Sequence, residues 1–164
     1  MKCIIFSDSH GNPSYMKRAL DMHKDAEVVF FLGDGLSDFD EIMMREKERA
    51  GYAVLGNCDF YKIYKGSPVN KTEEITLLDK KIVYTHGDLY GAKYGMGGLI
   101  SLGERRSADI VLFGHTHTPH EEYVSGEKPL YLFNPGSIGS YPRSFGIMTL
   151  TENKPPLFSF SSNI

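Results

Sequence analysis

Short apolar runs alternate along the chain with glycine-rich polar turns and with stretches whose apolar positions recur every three or four residues. Lys2–Phe6 (KCIIF) is short, β-branched and aromatic, which predicts a buried strand. Turn-forming residues follow from Ser7 to Pro13, and Ser14 is placed to cap a helix running to about Lys24, with Met16, Ala19, Leu20 and His23 at helical spacing. Val28–Leu32 predicts a second buried strand, broken by Gly33-Asp34-Gly35. Asp38 or Asp40 is placed to cap a second helix through the charged stretch to Arg49, and Tyr52–Leu55 predicts a third strand ending at Gly56-Asn57. This βαβαβ order predicts a parallel sheet with right-handed crossovers.

Residues 60–73 read as polar and irregular. Ile75–Leu78 and Lys81–Thr85 flank Asp79-Lys80 as a hairpin. The glycine-rich loop Gly87–Gly98 leads to a helix ending near Arg106, and Ile110–Phe113 is another buried strand. Glu121–Val124, Leu130–Phe133, Phe145–Leu150 and Leu157–Phe160 read as short antiparallel strands. With no internal repeat, low-complexity tract or linker, residues 1–164 read as one α/β domain with two sheets packed together and helices outside.

Composition narrows the function classes. Hydrophobic residues at 41% and charged residues at 24% exclude a disordered chain. Eighteen basic against twenty-one acidic side chains give a formal charge of -3, which argues against an extended nucleic-acid surface. Two cysteines, Cys3 and Cys58, cannot build a disulfide framework, which points to a reducing compartment. The first apolar run meets Asp8 at once, and no run approaches the roughly 18 apolar residues of a membrane span. The expected location is the cytoplasm, with no membrane partner.

Five of the predicted strands end in polar residues: Asp8 and His10, Asp34, Asn57 and Asp59, His86, and His115 and His117. Ligand sites in α/β sheets form outside the carboxyl ends of strands, so the fold would gather these groups at one rim. Each fragment alone is ordinary turn or surface-loop chemistry. Together they are carboxylate, imidazole and amide donors without thiolate, a set that suits divalent metals. Seven donors, Asp8, His10, Asp34, Asn57, His86, His115 and His117, exceed the needs of one ion with an open position and suit two ions sharing a carboxylate. His23 reads as structural and His120 as solvated.

The ordered series Asp8-Ser9-His10, Gly33-Asp34, Gly56-Asn57-Cys58-Asp59, Thr85-His86-Gly87 and Gly114-His115-Thr116-His117 resembles the calcineurin-like metallophosphoesterases. The small size, the Gly-Asn-Cys-Asp form and Asn134-Pro135-Gly136-Ser137 are similar to their YfcE-type phosphodiesterase branch. The resemblance implies a four-layer αββα sandwich of two mixed sheets flanked by helices. It also implies two divalent ions, usually manganese, with iron, zinc or nickel as substitutes. Asp8, His10 and His117 would hold the first ion, Asn57, His86 and His115 the second, and Asp34 would bridge them. Asp34, Asn57, His86 and His117 would also carry the catalysis. The implied reaction is hydrolysis of a small, nucleotide-like phosphodiester by a metal-bridging hydroxide, in a chain that forms dimers or tetramers as similar proteins do.

Two contrasting readings belong beside it. One is a non-catalytic scaffold, as in the retromer subunit that resembles this family but has lost metal-site histidines. The other is a phosphomonoesterase. Cys58 stands where many family members carry a histidine, and a neutral thiol is a poor proton donor to a leaving alkoxide. Gly35-Leu36-Ser37 separates Asp34 from Asp38, so Asp38 is given no site role. Asp59 would orient a site histidine or cap the next turn. Tyr90 and Tyr94 of the Gly87–Gly98 loop, with Tyr61 and Tyr64, are candidate cleft walls, and Arg143 would meet phosphate or a carboxylate.

Overall fold

The computed structural model describes residues 1–162. The chain begins with β1 (Lys2–Phe6), α1 (Pro13–Met22), β2 (Val28–Phe31), α2 (Leu36–Met43) and β3 (Ala50–Ala53). A two-residue hairpin follows, β4 (Ile63–Tyr64) with β5 (Ser67–Pro68), inside the stretch expected to be irregular. Next come β6 (Thr72–Leu77), β7 (Lys80–Thr85), a 3₁₀ turn at Asp88–Tyr90, α3 (Gly97–Arg106) and β8 (Ile110–Leu112). The last third holds β9 (Pro119–Val124), β10 (Leu130–Pro135), β11 (Phe145–Thr149) and β12 (Leu157–Ser161). Among the described residues these form two five-stranded sheets, ordered β12-β11-β1-β2-β3 and β6-β7-β8-β10-β9.

The alternation of side chains along each strand builds the layers. On β1 and β2, Ile4, Phe6, Val29 and Phe31 face α1 and α2, where Met16, Leu20, Leu36 and Phe39 cover them. Their neighbours Cys3, Ile5, Val28 and Phe30 face the second sheet and meet Ile82, Tyr84, Ile110 and Leu112. On the far side of that sheet, Val83, Val111 and Leu132 pack under Leu99 and Leu102 of α3. Three cores between four layers are the αββα sandwich that the resemblance implies.

β1, β2 and β3 are parallel, and so are β7 and β8, so all five strands that lead into polar residues point the same way within their sheets. The last third is not wholly antiparallel: β10 runs antiparallel to β9 but parallel to β8. The β6–β7 turn is Leu78-Asp79 rather than Asp79-Lys80, with Leu78 at positive φ and Leu77 paired to Lys80.

Three boundaries differ for physical reasons. Ser14 lies inside α1, because Pro13 takes the first helical position, where its fixed φ and missing N–H cost nothing. α2 starts at Leu36 after Gly35, and its first N–H groups are capped from a distance by Asp59, whose Oδ1 accepts from Gly35 and Leu36 at 2.8 Å. It stops at Met43, short of Arg49, whose guanidinium turns back to the carbonyls of Leu20, His23 and Ala26 at the end of α1. The third strand is shifted to Ala50–Ala53, although Val54 still donates to Phe31.

Candidate metal centre

Backbone bonds between strand ends bring the polar loops together. Asp8 N–H donates to Gly33 O at 2.9 Å, His10 N–H to Asp34 O at 3.1 Å, and Gly114 N–H to His86 O at 2.9 Å. A β-carbon on Gly56 would overlap the Asp34 carboxylate, so glycine there lets the Asn57 loop close on Asp34. Asp8, His10, Asp34, His115 and His117 all have left-handed backbone conformations, with φ of 57°, 47°, 61°, 68° and 59°. Such conformations are unfavourable for residues with a β-carbon and concentrate at functional sites.

Two clusters result. In the first, Asp8 is fully buried, and its Oδ2 accepts from Ser7 Oγ at 2.5 Å and from His115 N–H at 3.1 Å. Asp8 Oδ1 has no hydrogen-bond partner, yet His117 Nε2 lies 3.2 Å away and His10 Nε2 3.8 Å away. His10 Nε2 and His117 Nε2 are 3.3 Å apart.

The second cluster centres on His86, also fully buried. Its Nδ1–H donates to Leu32 O at 2.7 Å, which turns Nε2 toward the site. Around Nε2 stand Asn57 Oδ1 at 3.1 Å, His115 Nδ1 at 3.1 Å, Asp34 Oδ2 at 3.4 Å and Asp8 Oδ1 at 4.0 Å. All seven predicted donors therefore meet at the rim, with Asp34 and Asp8 between the clusters. The groups Asp8–His10–His117 and Asp8–Asp34–His86 each offer donor atoms within 4.8 Å of one another, as do His10, Asp34 and Cys58. The thiol in that third group was not in the predicted donor set.

This crowding of acceptors suits cations. Metal–ligand bonds near 2.0–2.2 Å put adjacent donor atoms roughly 3 Å apart, the spacing seen here. A neutral His86 with its proton on Nδ1 would otherwise set a bare lone pair against Asn57 Oδ1 and Asp34 Oδ2. Electrostatics follow the same geometry. Burial alone would raise the Asp34 carboxyl, but His86 and the Cys58 N–H, 2.7 Å from Oδ1, hold it far below the ordinary range. Burial would lower His86, but the Asp34 and Asp8 carboxylates pull it upward. The Asp8 carboxylate raises His117. Desolvation and the neighbouring His86 and Lys93 lower His115.

The supporting residues were only partly legible. Asp59 orients no histidine: its carboxylate accepts four backbone N–H groups, from Asp34, Gly35, Leu36 and Gly56, at 2.8–2.9 Å. Asp38, given no site role, accepts from Ser9 Oγ at 2.7 Å and Gly11 N–H at 2.8 Å and so holds the His10 loop. Ser137 Oγ and Gly139 N–H both bond Asp8 O, as a structural Asn134–Ser137 turn at the rim requires. Arg143 lies over the Tyr15 ring, and among the described residues no carboxylate forms an ion pair with it. Tyr64 is buried against Phe39 and Tyr90 is bonded to Thr72, so neither serves as a free cleft wall. His23 is structural, edge-on to Phe145, and His120 pairs with Glu122.

Two packed sheets with carboxylate, imidazole and amide donors gathered at their strand-end rim define the metallophosphoesterase class. The family comparison is direct: the model of the calcineurin-like phosphoesterase superfamily domain matches residues 1–153, and the chain belongs to that family. The probable metallophosphoesterase YsnB of Bacillus subtilis (strain 168) is 34% identical over 159 residues, covering 93% of this chain and 86% of YsnB. Phosphodiesterase YfcE of Escherichia coli (strain K12) is 29% identical over 170 residues, covering 90% of this chain and 87% of YfcE. The solved YfcE structure aligns with a TM-score of 0.65 at 26% identity, over 91% of this chain and 88% of that one. Vacuolar protein sorting 29 from Cryptosporidium parvum shares the fold, with a TM-score of 0.76 at 18% identity over 98% and 96% of the two chains.

Proposed function

We propose that this chain is a phosphodiesterase that hydrolyses a P–O ester bond with two divalent cations, manganese first among them. Asp8, His10 and His117 would hold one cation, Asn57, His86 and His115 the other, and Asp34 would stand between them. The observation that carries this reading is Asp8 Oδ1, a fully buried carboxylate oxygen without a hydrogen bond, facing the Nε2 atoms of His117, His10 and His86. Bound there, the cations would supply positive charge for the phosphoryl group and acidify the attacking water.

The chain's own residues prepare that centre. Ser7 and the His115 N–H occupy Asp8 Oδ2 and leave Oδ1 to face inward. The Leu32 carbonyl fixes the His86 tautomer, a role outer partners commonly play for ligating histidines. The Asn57 amide sits with Oδ1 toward His86 and Nδ2 3.2 Å from Cys58 Sγ, where a phosphoryl oxygen could displace the thiol contact. Partial desolvation and the Asp34, Asp59 and Asp8 carboxylates raise the Cys58 thiol where no cation stands beside it, and a thiol in place of a histidine is a poor proton donor to a leaving alkoxide. A leaving oxygen thus gains little of the roughly 10²–10⁴-fold help a general acid supplies. Substrates with good leaving groups, and diesters, are favoured over alkyl monoesters.

The complete donor set favours a hydrolase over a scaffold on the same fold. The test is a parallel assay of the manganese-loaded chain on bis(p-nitrophenyl) phosphate and p-nitrophenyl phosphate. The diester is expected to react faster, and a monoester rate well above the diester rate overturns the assignment.

A further inference from the structure

Beside the first donor cluster opens a cleft of about 310 Å³, lined by His10, Asp34, Ser37, Cys58, Phe60 and Tyr61. Phe60 is 97% exposed and Tyr61 48%, next to the residues proposed to grip phosphate. An apolar ring so fully in water contributes nothing to the core, and its backbone is not loose. Asp59, the residue before it, is fastened to four backbone N–H groups of the Asp34 and Gly56 loops. The backbone that carries the ring is therefore anchored at the cleft wall.

The charges of the cleft decide which part of a substrate it takes. No lysine or arginine lines it, so it offers no counter-charge to a phosphate. Of its carboxylates, Asp59 is committed to backbone donors, while Asp34 belongs to the donor cluster. What remains for recognition is aromatic surface and the Ser37 hydroxyl. That combination suits a flat, uncharged group with a polar edge.

We propose that Phe60 and Tyr61 form the platform that takes the nucleobase of a nucleotide ester whose phosphate lies over the donor cluster. The proposal rests on the phosphodiesterase reading for where the phosphate sits. Stacking on an aromatic side chain tolerates any base, because every base has a π-face, so the platform selects nucleoside esters over alkyl or sugar esters without selecting one base.

Calorimetry on the manganese-loaded chain tests it with two monophosphates that differ in the base alone, adenosine 5′-monophosphate and ribose 5-phosphate. The wild type is expected to bind the nucleotide on the order of tenfold more tightly, the scale of one base stack. Phe60→Ala should bring the two affinities together, and Phe60→Trp should keep them apart. As Phe60 has almost no packing to lose, the variants should fold. Equal affinities in the wild type, or a tenfold ratio that survives both Phe60→Ala and Tyr61→Ala, overturn the platform. Hydrolysis of bis(p-nitrophenyl) phosphate is read separately. A chain that cleaves the diester but binds the two monophosphates alike loses only the platform. One that discriminates between them but cleaves no diester loses only the activity.

Discussion

Asp8, His10, Asp34, His115 and His117 share positive φ, a conformation that costs a residue with a β-carbon roughly 1–2 kcal/mol. The Asp8 and Asp34 carboxylates gain hydrogen bonds from Ser7, the His115 N–H and the Cys58 N–H, while the His10 and His117 imidazoles crowd Nε2 against Nε2. Replacing a strained ligand by glycine should then relieve the backbone while removing the donor. For His117→Gly, whose side chain is partly exposed, the melting temperature of the chelated chain is predicted not to fall, while diester hydrolysis drops by at least about 10²-fold. A marked loss of melting temperature would mean that the imidazole supports the fold rather than the site. A second residue-scale effect lies far from the rim. Burial pushes Cys3 up from 9.0 to about 12, and burial also raises Tyr64 and Tyr84. A raised acid contributes stability that is complete below its unfolded pKa and is lost as pH rises toward the folded one. The urea midpoint should therefore decline from pH 9 upward, and Cys3→Ala should flatten that decline.

At the scale of elements, the strand cores were readable because short apolar runs need no distant partner to be recognised. β1, β2 and β8 fall on KCIIF, VVFF and IVL, within the expected runs. Caps and turns were not, because their partners lie far off in sequence. The cap of α2 is supplied by Asp59, twenty-three residues beyond Leu36. Arg49, expected to close α2, instead reaches back to the Leu20 carbonyl of α1, twenty-nine residues earlier. The antiparallel reading of β10 holds against β9 but missed its parallel pairing with β8, which is not its neighbour in sequence. Asp59 makes the cost of a lost link measurable. Asp59→Ala would strand four backbone donors, and unsatisfied groups of this kind cost about 1–3 kcal/mol each where water is excluded. We expect a lower urea midpoint in the chelated chain and a manganese affinity reduced by about 10–100-fold, with Asp59→Asn milder on both counts. Unchanged manganese affinity would show that the clamp serves the fold alone.

On the scale of the whole molecule, the site was more legible than the layers that build it. Each donor follows an apolar strand, and parallel strands deliver their carboxyl ends to one edge, so linear order already implied convergence. The sequence could not reveal which side chains pair behind the donors: Ser7, Asp38 and the Leu32 carbonyl look ordinary until the loops close. Nor did it separate the exposed aromatics from the packed ones, since Phe60 and Tyr64 stand four residues apart yet one is in water and the other in the core. The formal charge of -3 says little about phosphate affinity, because cations held by Asp8 and Asp34 would reverse the sign at the rim. The same cations would tie together loops from both sheets, so chelation should lower the melting temperature and manganese should restore it.

The most direct test of the two-cation account is the rate of bis(p-nitrophenyl) phosphate hydrolysis with manganese, compared for the wild type, Asp34→Ala and His117→Ala. The account predicts a wild-type rate that vanishes on chelation and returns with manganese, and a loss of at least about 10²-fold in both variants. Full activity in the variants, or in the chelated wild type, would contradict it.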